Sequence, residues 1–347
     1  MKLSVIIACY NGEDFIEQAI ESVRVQQTES IELIIVDDGS TDRTAEKCSP
    51  YICENIRYIR TENMGAGHAR NVGIDAANGQ WISFLDADDL YFTGALEKRI
   101  EVELDKAETA GLDIICTPRS LTDMNLETPV QVAFSESVEQ IVENHHMPSL
   151  EFWTCIYRTS FLKEKKIRFY EYRVQDVESS FRYLAFSQTD NIAVRNDYRF
   201  YLQRDNLMSN TYTWNRYNLY IVKAFIYWDL YKNTQHANDK VYLLSVVMEQ
   251  IKAYYKLCLF HGTTENRSGI VTSIDELYET IKKSVPADQL KQVISFRSKV
   301  KLEGVCFLLK FLNHTAQIPA KQKNTTITLP LNEIMGRLKM VSEQSVE

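Results

Sequence analysis

A chain of 347 residues exceeds what one hydrophobic core usually organises, roughly 250 to 300 residues, so two parts are expected. Hydrophobic residues at 45% and charged residues at 25% are those of a soluble globular protein and exclude a disordered chain. A net charge of -8 removes the basic stripe that a nucleic-acid-binding surface needs, while leaving room for small anions held by local cations.

The N-terminal "MKLSVIIACYNG" carries one lysine and an apolar run too short for a signal segment, and reads as a first buried strand. "EDFIEQAIESVRVQ" then puts Phe15, Ile16, Ala19, Ile20 and Val23 on one helical face. "IELIIVDDGS" is a second strand ending in acids, and "STDRTAEKC" opens a helix with Ser40 or Thr41 as N-cap. "IRYIRT" is a third strand, "GAGHARNVGIDAA" a glycine-started helix, "WISFL" a fourth strand, and "LDIICT" a fifth after a helix from Thr93 to Ala110. Strands apolar throughout, such as "LIIV", suit a parallel sheet covered on both faces, so a doubly wound α/β sheet is expected. From about residue 118 the connections lengthen, with strand-like "FWTCIY" and "DYRFYLQR" around a helical "VQDVESSFRYLAF". Beyond Asn210 the periodicity is helical, in "WNRYNLYIVKAFIYWDLY", "DKVYLLSVVMEQIKAYYKLCLF", "SIDELYETIKKSV" and "ADQLKQVISFRSKVKLEGVCFLLKFLNH". No apolar run reaches the ~18 to 20 residues of a membrane span. The cysteines Cys9, Cys48, Cys53, Cys116, Cys155, Cys258 and Cys306 are odd in number and scattered, which predicts reduced cytosolic thiols.

Ligands of open parallel sheets bind beyond the carboxyl ends of the strands, and three polar clusters fall there: "ACYNGED", "VDDGSTD" and "LDADD". Asp86 and Asp88, two apart in extended chain, project to one side and form a two-carboxylate grip for a hard divalent ion such as Mg2+ or Mn2+. The bland alternative is that these acids cap the next helix or solvate a turn. "NMGAGHARNVG" offers a glycine-rich helix start with Arg70, a combination that favours a phosphate or serves merely as a turn beside a surface arginine. His68 reads as a neutral helix residue.

Taken in order, "SVIIACYNGEDFIEQAIESVRVQ", "ELIIVDDGSTDRT" and "ENMGAGHARNVGIDAANGQWISFLDADD" resemble the N-terminal half of family 2 glycosyltransferases of the GT-A fold, of the kind that build bacterial surface polysaccharides. The resemblance implies a Rossmann-like, mixed but mainly parallel sheet flanked by helices, with an all-helical C-terminal extension. Residues 1–210 would be the transferase domain, 1–117 its nucleotide half and 118–210 its acceptor half, followed by a helical region at 211–347. By similarity, Ala8, Tyr10 and Glu13 line the nucleobase and ribose pocket, and Asp38 accepts from a uracil-type ring with Asp37 in support. Arg70 approaches the nucleotide, Asp86 meets the ribose or sugar, and Asp88 aided by Asp89 holds the metal bridging two phosphates.

The family often carries Glu-Asp at the start of an acceptor-side helix; here Gln175-Asp176 keeps only the aspartate, expected as general base, with Glu178 as the rival carboxylate. "YLQRDNLMS" makes Arg204 a candidate for the diphosphate or acceptor and Ser209 one for a loop over the donor. Trp153 is expected half-buried near the acceptor cleft, stacking on a sugar or serving the core. The implied reaction is inverting transfer from a nucleoside diphosphate sugar, a UDP-sugar foremost, to a saccharide or lipid-linked hydroxyl. The alternatives are a sugar nucleotidyltransferase, disfavoured by acids where its basic phosphate loop belongs, and an inactive nucleotide-binding scaffold. A cytoplasmic protein is implied, with "KVKLEGVCFLLKFLNH" serving helix packing, a homodimer, or peripheral contact with the inner face of the membrane.

Overall fold

The computed structural model describes residues 1–26, 29–100, 104–117, 120–121, 139–140, 151–171, 177–194, 200–204, 216–234, 237–261 and 268–293. They divide into two compact units, Met1–Thr213 and Trp214–Glu347. The strands of the first unit are β1 (Leu3–Cys9), β2 (Ile31–Asp37), β3 (Ile56–Arg60), β4 (Trp81–Asp86), β5 (Leu90–Tyr91), β6 (Ile114–Cys116), β7 (Ser120–Leu121), β8 (Glu139–Gln140), β9 (Cys155–Arg158), β10 (Ile192–Val194) and β11 (Tyr201–Gln203). Its helices are α1 (Ile16–Arg24), α2 (Thr44–Cys48), α3 (Ala66–Ala76), α4 (Ala95–Arg99), α5 (Asp105–Thr109), α6 (Thr159–Glu164) and α7 (Val177–Phe186).

The main sheet has the order β3-β2-β1-β4-β9-β6-β10-β8, and β5-β11-β7 form a small second sheet. β1 to β4 are mutually parallel where they pair, whereas β9 runs against both β4 and β6. Two reversals restore direction, so β6 points the same way as β4 and the carboxyl ends of β1, β2, β4 and β6 share one edge. This is the mixed, mainly parallel GT-A arrangement expected from the sequence. Every residue of β2 is buried, in keeping with a strand covered on both faces. α1 buries Ile16, Ala19, Ile20 and Val23 of the stripe its spacing predicts, while Phe15 stands half-buried at the N-cap, and each of the isoleucines and the valine contributes about 1.5–3 kcal/mol on burial.

Two local expectations change. The N-cap of α2 is Arg43 rather than Ser40 or Thr41, because the turn after β2 is spent holding the loop after β1. Ser40 Oγ accepts from the Asn11 amide at 2.9 Å, Thr44 Oγ1 from Gly12 at 2.8 Å, and Asp42 Oδ2 from Glu13 at 3.1 Å. "FWTCIY" is half strand: Phe152–Thr154 form a 3-10 turn that leads into β9. Of the helix expected from Thr93 to Ala110, the described parts are α4 and α5.

The second unit contains helices Arg216–Asn233, Ala237–His261, Ser268–Ser284 and Ala287–Val293. Trp228 and Tyr231 stack at 5.0 Å, and the Tyr231 hydroxyl donates to Gln289 Oε1 at 3.0 Å. Among the described residues no helix is long and apolar enough to cross a membrane. The segment "KVKLEGVCFLLKFLNH" lies outside them.

One buried carboxylate ties the parallel strands together. Glu32 on β2 accepts from Ser4 Oγ of β1 at 2.5 Å, from the amides of Asn78 at 2.6 Å and Gly79 at 3.1 Å, and from Arg57 of β3 at 2.9 Å. Burial opposes its ionisation, yet these donors outweigh burial and hold it below the ordinary carboxylate range. A depressed folded-state pKa contributes stability that is present above the unfolded value and lost as pH falls through the folded one. Glu32→Gln, which turns an amide toward four donors, is expected to cost about 1–3 kcal/mol at neutral pH. In urea denaturation the deficit should narrow in acid; a deficit that is constant with pH would show that the charge is irrelevant.

Candidate active site

Register brings the acidic clusters together. Ala8 of β1 lies opposite Asp86 of β4, and Cys9 opposite Asp37 of β2, so the two acidic strand ends flank the end of β1 at about 4.8 Å per strand. Tyr10 and Glu13 follow in the loop beyond β1. Tyr10 is exposed, and Glu13 Oε2 accepts from the Arg43 amide at 3.0 Å.

Asp37 and Asp38 are both buried, and their bonds point to framing roles. Asp37 accepts from the Ser40 amide at 2.7 Å, from the Tyr58 hydroxyl and from Arg60 Nη1 at 3.3 Å, which fixes the turn after β2. Burial first, then Asp37, pushes the Tyr58 phenol above its ordinary range. Gly39 in that turn has φ +76, and a Cβ there would lie 2.9 Å from the Asn63 amide, so glycine is required. Asp38 receives the amides of Met64 at 2.9 Å and Gly65 at 2.7 Å. One anion beside the glycine-rich start of α3 is therefore a side chain of the protein, bound to the two amides that lead into the helix. Gly67 has a different purpose: a Cβ would sit 2.2 Å from the Tyr170 carbonyl oxygen, so its absence lets the strand-like segment 167–171 lie on α3.

That segment is pinned along its length. The side chain of Asn71 donates to the Phe169 carbonyl and to Glu171, each at 2.9 Å, and accepts from the Phe169 amide at 2.9 Å. His68 Nδ1 lies 3.2 Å from Glu171, and Arg168 pairs with Asp75 at 2.6 Å.

Arg70 is buried between β4 and α7. Its Nη2 donates to Asp86 and its Nη1 to Glu178 in the first turn of α7, both at 2.9 Å. The guanidinium lies 4.6 Å from the ring centre of Phe152 and 5.3 Å from that of Phe169, in cation–π range. Phe169 and Phe181 stack at 3.8 Å beneath it, with Phe84 5.3 Å from Phe169. Arg70 is thus held at the acidic edge by its two carboxylate partners.

The three carboxylates of "DADD" have separate environments. Asp86 is pushed up by burial, with Arg70 pulling it down and Asp88 pushing it up further. Asp89 is turned inward, where it accepts from the Tyr201 hydroxyl at 2.6 Å and from the Arg204 amide at 2.8 Å. Burial, Asp86 and Asp88 together push the Asp89 carboxyl to about 8. Asp88 is half-buried at the turn, its carbonyl accepting from Arg204 Nε at 2.9 Å. Arg204 also reaches Gln18 Oε1 at 2.5 Å and lies 5.0 Å from the Phe15 ring centre. Trp153 is half-buried, its ring centre 5.0 Å from Phe152 and 6.2 Å from Tyr201. Asp176 and Ser209 lie outside the described residues. A separate groove lined by Arg24, Pro50, Tyr51, Cys53 and Ile56 lies at the amino end of β3, away from these acids.

The first part of the chain matches a known family: residues 4–165 fit the family model "Glycosyl transferase family 2". That match takes in a little under half of the chain, and the chain spans less than two thirds of the length of the curated relatives it matches. The glycosyltransferase EpsJ of Bacillus subtilis (strain 168), itself uncharacterized, is 32% identical over 220 residues, 60% of this chain and 62% of EpsJ. The succinoglycan biosynthesis protein ExoO of Rhizobium meliloti (strain 1021) is 30% identical over 181 residues, 49% of this chain and 51% of ExoO. The crystal structure of S. aureus TarS is similar at a TM-score of 0.64 and 21% identity, covering 90% of this chain and 54% of that one. TarS 1–349 in complex with UDP-GlcNAc matches at a TM-score of 0.58 and 20% identity, covering 99% of this chain and 91% of that one.

Sequence reading missed Tyr201, Asn71, Phe152 and Phe169 as parts of this candidate site, and gave Glu178 only as a rival base. Arg70 and Glu178 are 108 positions apart, and no local pattern links them. The raised Asp89 carboxyl sets a pH dependence: its stabilisation is present below the ordinary carboxylate value and lost as pH rises through about 8. Between about pH 5 and 9 the urea midpoint of the nucleotide-free protein should therefore fall, and Asp89→Asn should flatten that fall. An unchanged slope in the variant would show that Asp89 ionises freely. Gly67→Ala should destabilise the protein by about 1–3 kcal/mol, read from the same denaturation curves, whereas a neutral result would mean that segment 167–171 yields without cost.

Proposed function

We propose that this chain is an inverting glycosyltransferase that moves a sugar from a nucleoside diphosphate sugar to a hydroxyl of a growing surface polysaccharide or its lipid-linked precursor. The observation that carries the reading is the convergence of Asp38, Asp86 and Asp88 on one sheet edge around the end of β1, with Arg70 shared between Asp86 and Glu178. A diphosphate brought there without a cation would meet repulsion, so the edge suits a ligand that arrives with one. UDP-GlcNAc bound to the TarS 1–349 neighbour supports a UDP-sugar as donor, and the name of ExoO supports a polysaccharide acceptor.

The donor set fits Mn2+ or Mg2+ in an open site. Asp89 is turned inward to Tyr201 and Arg204, so the ion would be held by Asp88 at the half-buried turn together with Asp86, whose other oxygen is bound to Arg70. Among the described residues there is no cage of three or more His, Cys, Asp or Glu, and magnesium-type sites commonly use one or two carboxylates and complete themselves with substrate phosphates and water. When bound, the ion would offset negative charge on the departing diphosphate. The protein's own part is to hold the nucleoside beside Ala8, Tyr10 and Glu13, with Asp37 and Asp38 framing the pocket floor. Arg70 fixes Asp86, and Asp176 takes the proton of the acceptor hydroxyl as its oxygen attacks the anomeric carbon and the bond to the diphosphate breaks. Arg204, anchored on the Asp88–Asp89 turn, stands ready for the diphosphate or acceptor, with Ser209 serving the donor and Trp153 the acceptor.

Asp88→Ala is expected to abolish Mn2+-dependent UDP binding in calorimetry. Asp176→Asn should leave that binding intact and slow UDP release from UDP-GlcNAc by about a hundredfold or more. Full turnover in Asp176→Asn would place the base elsewhere, and metal-independent binding in Asp88→Ala would remove the cation from the reading.

A further inference from the structure

We propose that Cys116 and Cys155 form a reversible intrachain disulfide, making the β6–β9 strand pair a site of thiol oxidation by small disulfides. Cys116 is the last residue of β6 and Cys155 the first of β9, and they lie directly opposite in the antiparallel register. The neighbouring amide of Thr117 donates to the Thr154 carbonyl at 3.1 Å, and the Arg158 amide to the Asp113 carbonyl at 2.8 Å. Hydrogen-bonded and non-hydrogen-bonded pairs alternate along such a ladder, so Cys116 and Cys155 occupy a non-hydrogen-bonded pair. There the Cα atoms are about 4.5 Å apart and the side chains lean together, within the range that a disulfide spans. The Sγ atoms are in contact at 2.7 Å, and both thiols are buried.

Burial, reinforced by Cys155, pushes the Cys116 thiol well above its ordinary value, so resting Cys116 is protonated and slow to react. Reaction passes through opening of the strand ends, where Cys116 and Cys155 both sit. One thiol then loses its proton and its sulfur attacks a small disulfide, releasing one thiolate and leaving a mixed disulfide on the protein. The second cysteine, also deprotonated, attacks that mixed disulfide and releases the second thiolate. Two cysteine sulfurs are oxidised, one small disulfide is reduced to two thiols, and the two protons pass to the released thiolates. In a reducing compartment the pair rests as thiols, and an oxidising shift links it.

The bond would tie together two strands of the edge that carries Asp86. The turn before β9 brings Phe152 under Arg70, so the link lies beside the acceptor side of the candidate site. The inference concerns thiol chemistry and holds whichever sugar the protein transfers, or none.

The test is peptide mapping of the native chain after incubation with excess oxidised glutathione, alkylation without reductant and proteolysis. The expected result is a peptide pair linked through Cys116 and Cys155 that dithiothreitol separates, with the exposed Cys53 recovered as a glutathione adduct. Cys116→Ser should abolish the linked pair without creating a substitute link from Cys155. If that variant does not fold, the wild-type map decides alone. Recovery of Cys116 and Cys155 both alkylated, or a link that forms only after denaturant is added, would overturn the proposal.

Discussion

A buried guanidinium between two carboxylates from distant parts of the chain is the constraint on which the site depends. Arg70 belongs to α3 and is committed at once to Asp86 on β4 and to Glu178 on α7. Burying a lone arginine is costly, and the cost is met only while both carboxylates stay in reach and the aromatic rings of Phe152 and Phe169 cover its faces. The arrangement fixes α7 relative to the acidic edge more firmly than backbone packing alone. It also explains why α3 is rich in small residues: Gly67 and Gly73 let a carbonyl and the side chain of Ile6 come closer than any Cβ permits.

The crowding of acids in "DADD" is relieved in three different ways, which separates their roles. Asp86 has a fixed cation, Asp89 has an inward hydrogen-bonded niche and a carboxyl raised to about 8, and Asp88 sits half-buried at the turn. A cluster whose members ionise unequally can hold a divalent ion and a diphosphate without requiring three neighbouring charges in their absence. Tyr201 links two of them, donating to Asp89 and accepting from the Asp86 amide at 3.2 Å. Through this phenol β11, late in the domain, closes the turn after β4.

The fold was largely legible because its signals are local. Apolar runs ending in acids mark β1, β2 and β4, and a 3.6-residue stripe marks α1, so the edge where Ala8, Asp37 and Asp86 meet follows from rules of parallel sheets. The glycine-rich segment was legible as a helix start but not in purpose, since periodicity cannot say that Asp38 supplies its anion or that Tyr170 lies against Gly67. Glu178, Tyr201 and the Cys116–Cys155 pair were hidden for a related reason. Each is defined by register or packing between segments tens of residues apart, and composition treats scattered cysteines as independent. Family likeness reached the acids of the first hundred residues because they lie on the strand ends of one continuous stretch, and it thinned where long connections take over.

Hydrogen exchange measured with and without UDP and Mn2+ tests the central claim most directly. The account predicts slowed exchange in the loop after β1, the turn after β2 and the segment from Asp86 to Tyr91, with α7 following through Arg70. Protection confined to the groove around Arg24 and Pro50, or no protection at the acidic edge with any nucleoside diphosphate, would contradict it.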